Sequence, residues 1–187
     1  MDKGRAVVGA SVIGALVLAA GLVVETVPTQ GLSTSTTGGG VCGTYPEGSA
    51  VAAAWFMTDL QNETDHDVRV RTVRIATIEG VRLEHLALAP HPRTSSPGVI
   101  ITEDPDQPAE YGRTVPVGSG VVVRPHSDLN VSGRIVLDPD RTAGFVRGVV
   151  VTTQDGLGRL HTVTEPIAFG TGIGTGHDAS EIGCHGA

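Results

Sequence analysis

The two cysteines are the residues of this sequence whose chemistry depends most on their pairing. Cys42 and Cys184 are its only cysteines, and they stand near the two ends of the region that follows residue 41. Outside the cytoplasm, thiols are usually oxidised. Two cysteines permit one intramolecular pairing, and a bridge would close a loop of about 140 residues, for which chain entropy gives about 5 kcal/mol. We therefore predict a Cys42–Cys184 disulfide.

The second cysteine also offers a different chemistry. The Cys184 thiolate, together with the imidazoles of His177 and His185, could bind copper or zinc, because both metals accept these ligands. No CxxC or HxxxH spacing accompanies these residues. The metal site therefore stays an alternative to the disulfide, and no resident metal or cofactor is predicted.

Two acidic segments suggest a further alternative, a calcium site. The segment Glu103-Asp104-Pro105-Asp106, with Glu110 nearby, and the segment Asp138-Pro139-Asp140 carry carboxylates between predicted strands. Calcium takes six to eight oxygen ligands, usually in a pattern such as Asp-x-Asp-x-Asp-Gly, which is absent here. Prolines also separate the acids, so the pattern favours solvated loops over a calcium site.

The sequence contains no motif for nucleophilic or nucleotide chemistry. Gly118-Ser119-Gly120 lacks the G-x-S-x-G spacing that presents a catalytic serine. A P-loop, a dinucleotide fingerprint, an HExxH motif and an EF-hand loop are also absent. The formal net charge is −7, with 13 Lys and Arg against 20 Asp and Glu, which excludes a basic nucleic-acid reader. We predict a protein that is not an enzyme and binds no nucleic acid.

An apolar run near the N-terminus predicts a membrane anchor. Residues 6–24 carry no charge and follow Lys3 and Arg5. As a helix this run would measure about 28 Å, close to the hydrocarbon thickness of a bilayer. No Lys or Arg follows until Arg69, so the positive-inside rule places the N-terminus in the cytoplasm and the remainder outside the cell membrane. Residues 1–25 are thus predicted to be a single-pass anchor that contacts the lipid bilayer through residues 6–24.

The alternative interpretation of this run is a cleaved secretory signal. Ala19-Ala20-Gly21 is a weak cleavage candidate, although the apolar run is longer than a signal peptide needs. Cleavage would make the protein secreted. In both cases the Ser, Thr and Gly of residues 26–41 predict a flexible linker, which leaves residues 42–187 as the extracytoplasmic domain.

The region after the linker has the pattern of a β-sandwich. Hydrophobic residues make up 40% of the chain but aromatic residues only 3%, so Val and Ala must fill the core. Short apolar stretches separated by turn residues predict an all-β fold, an immunoglobulin-like antiparallel β-sandwich. Residues 91–113 are the longest segment of doubtful structure and the first place to look for a partner surface. The predicted strands are residues 50–60, 68–75, 81–88, 98–102, 120–124, 129–137, 145–153 and 159–169.

Two segments favour strands over helices through their local pattern. In residues 67–71 apolar side chains alternate with arginines, and the alternation then slips by one to Val73 and Ile75. A slip of one residue turns the buried face over, so we predict a β-bulge or a bend near Thr72. Residues 145–163 read as a hairpin around Asp155-Gly156, a dipeptide that supplies the positive φ angles of a tight turn.

The order of apolar run, linker and sandwich resembles membrane-anchored envelope proteins of high-G+C Gram-positive bacteria. The segments that carry this resemblance are Leu60 to Val70, with an Asn turn before an Asp-Val-x-Val strand, and the hairpin Asp155-Gly156-Leu157-Gly158-Arg159. The resemblance implies an immunoglobulin-like ectodomain and brings no catalytic residue with it.

These observations together predict a protein-interaction function. We expect a membrane-anchored extracytoplasmic domain that acts as an interaction module or accessory subunit of a membrane or cell-envelope assembly, with a protein as its partner. The alternative is an envelope protein that binds a metal, such as copper, zinc or calcium, or another small ligand.

Overall fold

The computed structural model describes residues 31–34, 38–90 and 97–174. Within these ranges the chain forms β-strands joined by turns, with one short 3-10 turn at Ala109–Tyr111. The strands are β1 (Leu32–Thr34), β2 (Gly40–Tyr45), β3 (Ala53–Asn62), β4 (Val68–Glu79), β5 (Val81–Ala89), β6 (Gly98–Ile101), β7 (Val115–Pro116), β8 (Val122–Val123), β9 (Ser127–Leu137), β10 (Ala143–Gln154) and β11 (Leu160–Ile173).

The strands form two sheets that pack on each other. Sheet I has the order β1-β3-β9-β5-β7, and β6 also pairs with β3. Sheet II has the order β2-β11-β10-β4-β8, in which β2 and β11 run parallel. The predicted all-β sandwich is therefore confirmed. The prediction that its strands are all antiparallel is wrong at β2, because β2 pairs in parallel with β11.

The core between the sheets consists mostly of aliphatic side chains, as the composition predicts. Its main aromatic contact joins β3 to β11, where Phe56 stacks on Phe169 with ring centroids 5.0 Å apart. Gly133 of β9 makes room for this contact, because a Cβ at that position would lie 2.7 Å from the Phe56 ring. The aromatic pair thus depends on a glycine in the neighbouring strand.

Each of the eight predicted strands overlaps an observed strand. The predicted slip in β4 is also confirmed, since the pairing of β4 with β10 shifts between Val70 and Thr72. Val68, Val70 and Val73 are buried, whereas Arg71 and Thr72 are both exposed. The bulge therefore returns the apolar residues to the core face after the slip.

The predicted hairpin joins β10 to β11 and is organised by one buried carboxylate. Asp155 Oδ1 accepts hydrogen bonds from the backbone N–H groups of Leu157 and Arg159, both at 2.9 Å. Its Oδ2 accepts a bond from Arg159 Nε at 2.8 Å and lies 3.2 Å from His161 Nε2. Burial opposes ionisation of Asp155, but these hydrogen bonds outweigh it and hold the pKa of the carboxyl well below its usual range.

Two strands begin in the stretch for which the sequence predicts a flexible linker. β1 pairs with the end of β3, and its Leu32 is buried in the core. β2 starts at Gly40, opposite Ala168. The linker predicted over residues 26–41 is therefore too long, because pairing with strands distant in sequence orders residues that have no pattern of their own.

The predicted anchor, residues 6–24, lies outside the described residues. Across the described ranges, no helix has the length and apolar character needed to cross a bilayer.

Candidate functional site

One edge of β4, at the side of sheet II, is unpaired over most of its length among the described residues. β4 pairs with β10 from Arg69 to Glu79. On its other side β8 pairs only with Val68 and Arg69, and Val70 N–H adds a bond to Val121 O at 2.8 Å. From Thr72 to Glu79, β4 has no strand on this side among the described residues. We call this stretch, residues 72–79, the β4 edge.

Arginines line this side of sheet II. Arg69, Arg71 and Arg74 are all exposed. Arg71 donates to the side-chain carbonyl of Gln154 on β10. Within the described part of the chain, none of these three arginines forms an ion pair with a carboxylate. In a chain with net charge −7 this is an uncommon concentration of unneutralised positive charge.

The β4 edge also carries an exposed apolar side chain. Ile78 is 47% exposed, near the end of β4, and Ala76 between it and Arg74 is exposed as well. Gly80 follows with φ at +63°, and the chain passes there from sheet II into β5 of sheet I. A Cβ on Gly80 would lie 2.7 Å from Ala143 O. This corner therefore requires glycine both for its positive φ angle and for the close approach of the Ala143 carbonyl.

The outer face of sheet I, in contrast, is crossed by the segment of residues 98–116, which we call the strap. Its ends form β6 and β7, which pair with β3 and β5 of the same sheet. Trp55, Met57 and Tyr111 form a small buried cluster separate from the main core. Trp55 Nε1 donates to Asp104 O at 3.3 Å, and Tyr111 OH donates to Trp55 O at 2.9 Å. Burial raises the pKa of Tyr111, which keeps its hydroxyl protonated as a donor.

A half-buried ion pair lies on the same face. Arg134 Nη1 on β9 lies 2.6 Å from Glu84 Oε2 on β5, and the Arg134 side chain is only 8% exposed. Arg134 Nη2 also donates to Glu103 O of the strap at 3.1 Å. One arginine therefore ties two strands of sheet I to the segment that covers them.

A cavity of about 400 Å³ lies between β5 and the strap. His85 stacks on Trp55 at its base, with ring centroids 5.9 Å apart. His85 has φ at +53° and sits where the pairing of β5 with β9 is irregular between Glu84 and Ala87. The cavity wall is thus part apolar and part polar, with Leu86, Pro105, Asp106, Gln107, Thr114 and Pro116 among its other residues.

The structure describes only part of the predicted partner segment, residues 91–113. Residues 91–96 lie outside the described ranges, and the remainder belongs to the strap, which contains β6 and the 3-10 turn. The strap packs on its own sheet through Tyr111, so much of it has a structural role.

The predicted disulfide and soft metal site both depend on residues outside the described ranges. Cys42 lies in β2, opposite Gly170 of β11. Cys184, His177 and His185 fall beyond residue 174. The bridge and its copper or zinc alternative stay predictions.

The other candidates weighed from sequence occupy turns. Asp104 accepts the Asp106 N–H through Oδ1 at 2.9 Å, which closes a local turn. Ser119 donates from Oγ to Pro116 O at 2.8 Å. Asp138 Oδ1 lies 3.9 Å from Arg82 Nε. Among the residues that the structure describes, no three His, Cys, Asp or Glu side chains come together as a metal site.

Comparisons with known proteins assign the chain to no family. No family model matches the chain, and no curated protein matches it. Among solved structures the chain is similar to the ASH/PapD-like domain of human CEP192 (PapD-like domain 7), with 13% identity and a TM-score of 0.43, over 80% of this chain and 89% of that one. At this level the likeness carries no conclusion about function, and the resemblance to envelope proteins of Gram-positive bacteria stays a prediction.

Sequence reasoning found the arginines of β4 but not the open edge. The alternation of Val and Arg identifies exposed positions, whereas the gap beside them exists because β8 is only two residues long. Strand length after pairing depends on contacts that one sequence does not reveal. The Arg-rich alternation was the one available signal.

Proposed function

We propose that this chain is a non-enzymatic protein-interaction domain, held outside the cell by residues 6–24 and acting as an accessory subunit of a membrane or envelope assembly. The observation that carries the proposal is the β4 edge. Eight consecutive residues of a regular strand, Thr72 to Glu79, have no described strand on one side.

An open edge of this kind favours binding of a further strand. Its backbone N–H and C=O groups form a ready template, and proteins bind extended peptides by adding them to such edges. The main-chain hydrogen bonds supply affinity, and alternate side chains supply selectivity. Ile78 gives the edge an apolar contact that would lose exposed surface when a strand is added.

The membrane anchor rests on the sequence. Residues 6–24 are uncharged and have the length of a bilayer span, and Lys3 and Arg5 precede them. An anchor at one end and an open edge in the folded domain suit a subunit that holds a binding surface close to other membrane proteins.

Affinity purification of the full chain in mild detergent tests the interaction. We expect a companion protein in stoichiometric amount that is lost with Ile78→Asp and kept with Val51→Asp. Val51 is a matched control because it is 39% exposed and lies away from the β4 edge, before β3. Recovery of the chain alone, or equal loss of the companion with both variants, would overturn the proposal.

Protease added to intact cells tests the orientation. We expect cleavage of the domain and retention of a membrane-embedded fragment that contains residues 6–24. Full protection of the domain would place it in the cytoplasm and contradict the proposed topology.

A further inference from the structure

We propose that the hairpin end of sheet II docks on a phospholipid bilayer through Leu157 and Leu160. The hairpin end is the turn of residues 155–159 together with the adjoining ends of β4, β8, β10 and β11. The bilayer is the one that residues 6–24 span in the proposed function, so this inference rests on that anchor. It adds a second membrane contact, made by the folded domain itself.

Two leucines of this hairpin are the most exposed large apolar side chains among the described residues. Leu157 is 77% exposed and Leu160 is 65% exposed. The turn that presents them is closed by hydrogen bonds. The N–H of Leu157 donates to Asp155 Oδ1 at 2.9 Å, and Gln154 Nε2 donates to Gly158 O at 2.9 Å. Because the turn is already ordered, little conformational entropy is lost when it docks.

Leu160 also belongs to a row of side chains that crosses sheet II. Leu160 pairs with Gln154, which pairs with Arg69, and Arg69 pairs with Val122. Residues opposite each other on adjacent strands share a face. Arg69 is exposed and both of its neighbours on β4 are buried, so this row lies on the outer face of sheet II. The row is about 14 Å long over four strands, and Val122 at its far end is 37% exposed.

Arg69 gives this row a charge that complements a phospholipid surface. Arg69 forms no ion pair with a described carboxylate. Every phospholipid headgroup carries a phosphate, which a guanidinium can bind through two hydrogen bonds. Apolar side chains that enter the boundary between headgroups and acyl chains, next to a cation that stays among the headgroups, are typical of surfaces that lie on a membrane.

The hairpin end has no large excess of positive charge. The turn between β3 and β4 lies at the same end and carries the exposed acids Glu63, Asp65 and Asp67. Docking should therefore depend on the leucines and on the phosphate group. Zwitterionic and anionic phospholipids share that group, so an anionic membrane is not required.

The described domain also begins at this end. Gly31 is its first residue and lies beside β11, because a Cβ on Gly31 would be 3.2 Å from His161 Cβ. The proposed span ends at Val24, seven residues before Gly31, and seven residues reach at most about 25 Å. With that anchor, the hairpin end stays within this distance of the bilayer. Such a tether raises the local concentration of the binding surface, so that weak apolar contacts are sufficient.

Quenching of Trp fluorescence by brominated lipid tests the docking. The full chain is reconstituted in vesicles of phosphatidylcholine that carries bromine on its acyl chains, with Leu157→Trp or Val51→Trp as the reporter. We expect about twofold quenching of the Leu157→Trp reporter, because Trp prefers the membrane interface, after subtraction of the signal of Trp55 in the parent chain. The Val51→Trp reporter should not be quenched. Val51 is the matched control because it is 39% exposed and lies before β3, which separates it from the hairpin end by about 30 Å.

A second substitution separates the docking from the β4 edge. Leu160→Asp, added to Leu157→Trp, should remove most of the quenching, because a carboxylate resists transfer to apolar surroundings. Ile78→Asp, added instead, should leave the quenching unchanged, because Ile78 is 47% exposed at the other end of β4. Ile78→Asp thus tests the interaction in the proposed function, and Leu160→Asp tests the docking.

Several results would overturn the inference. If neither reporter is quenched in vesicles that retain the chain, or both are quenched equally, the docking fails while the anchor stands. Equal loss of quenching with Leu160→Asp and Ile78→Asp would also contradict it. If the chain does not float with the vesicles, the anchor fails and the docking fails with it. If the companion protein, and not lipid, shields the Leu157→Trp reporter from acrylamide, the occupant of this surface is a protein and the inference is wrong.

Discussion

Two arginines in neighbouring regions of the sandwich differ in almost every contact. Arg134 lies under the strap on the outer face of sheet I, 8% exposed and paired with Glu84. Arg74 lies on the β4 edge of sheet II, exposed and without an ion pair to any described residue. Under the strap, the charge of Arg134 is neutralised by a carboxylate of the same chain. On the β4 edge, the charge of Arg74 remains available to a binding partner. The first arginine should therefore serve stability, and the second should serve binding.

Replacing Arg134 should produce the largest loss of stability. Arg134→Met leaves Glu84 without its partner and removes a bond to Glu103 O of the strap. Because Glu84 is 33% exposed and water can partly replace the lost partner, we expect a loss of about 2 kcal/mol. Chemical denaturation of the variant and the parent chain measures this difference in the free energy of unfolding.

A double variant sharpens the interpretation. Arg134→Met with Glu84→Met removes both charges, and we expect it to recover part of the stability, because apolar replacement of a whole buried pair is often tolerated. If the single and double variants lose equal stability, the loss comes from packing of the arginine side chain and not from the uncompensated carboxylate.

Removing one hydroxyl from the covered face should produce a smaller loss. Tyr111→Phe deletes the 2.9 Å bond to Trp55 O and keeps the ring, so the free energy of unfolding should fall by about 1 kcal/mol. Trp55 is the only Trp in the chain, so its fluorescence reports on the strap directly. We expect easier quenching by acrylamide in the variant, and unchanged quenching would show that this bond does not hold the strap down.

Asp155, in the turn between β10 and β11, should make the free energy of unfolding depend on pH. Its folded pKa lies below the unfolded value of about 3.9, so its ionised form contributes stability above about pH 5 that is lost as the pH falls toward the folded pKa. Asp155→Asn removes this contribution. Unfolding measured from pH 7 to pH 2 should show a difference between the parent chain and Asp155→Asn that shrinks on acidification. A constant difference would mean that charge contributes nothing to the turn.

Local patterns predicted the parts of this fold that are set by neighbouring residues. The slip from Val70 to Val73 identified the bulge, and Asp155-Gly156 identified the place of the hairpin. The positive φ angle expected at Asp155-Gly156 lies instead at Gly158, with φ at +83°. β1, β2 and β7 were missed. β1 and β7 have three and two residues and form only by pairing with other strands, and β2 forms by pairing with β11, which is distant in sequence. Contacts distant in sequence could not be found from one chain.

The candidate site shows the same limit. Exposure of Arg69, Arg71 and Arg74 follows from their alternation with valines. The pairing of Arg134 with Glu84 joins positions 50 residues apart, and no local pattern distinguishes it. The sequence therefore predicted which residues are charged and exposed. It could not predict that Arg134 lies under the strap and Arg74 on an open edge, because that depends on how the strands pair.

The smallest predicted effect on stability belongs to Arg74. Arg74→Met removes an exposed charge that contacts no described carboxylate, so the free energy of unfolding should change by no more than about 0.5 kcal/mol, against about 2 kcal/mol for Arg134→Met. The same substitution at two arginines thus separates a structural charge from one that is free to bind. If Arg74→Met destabilises the chain as strongly as Arg134→Met, Arg74 stabilises the fold, and its charge is not free to bind a partner.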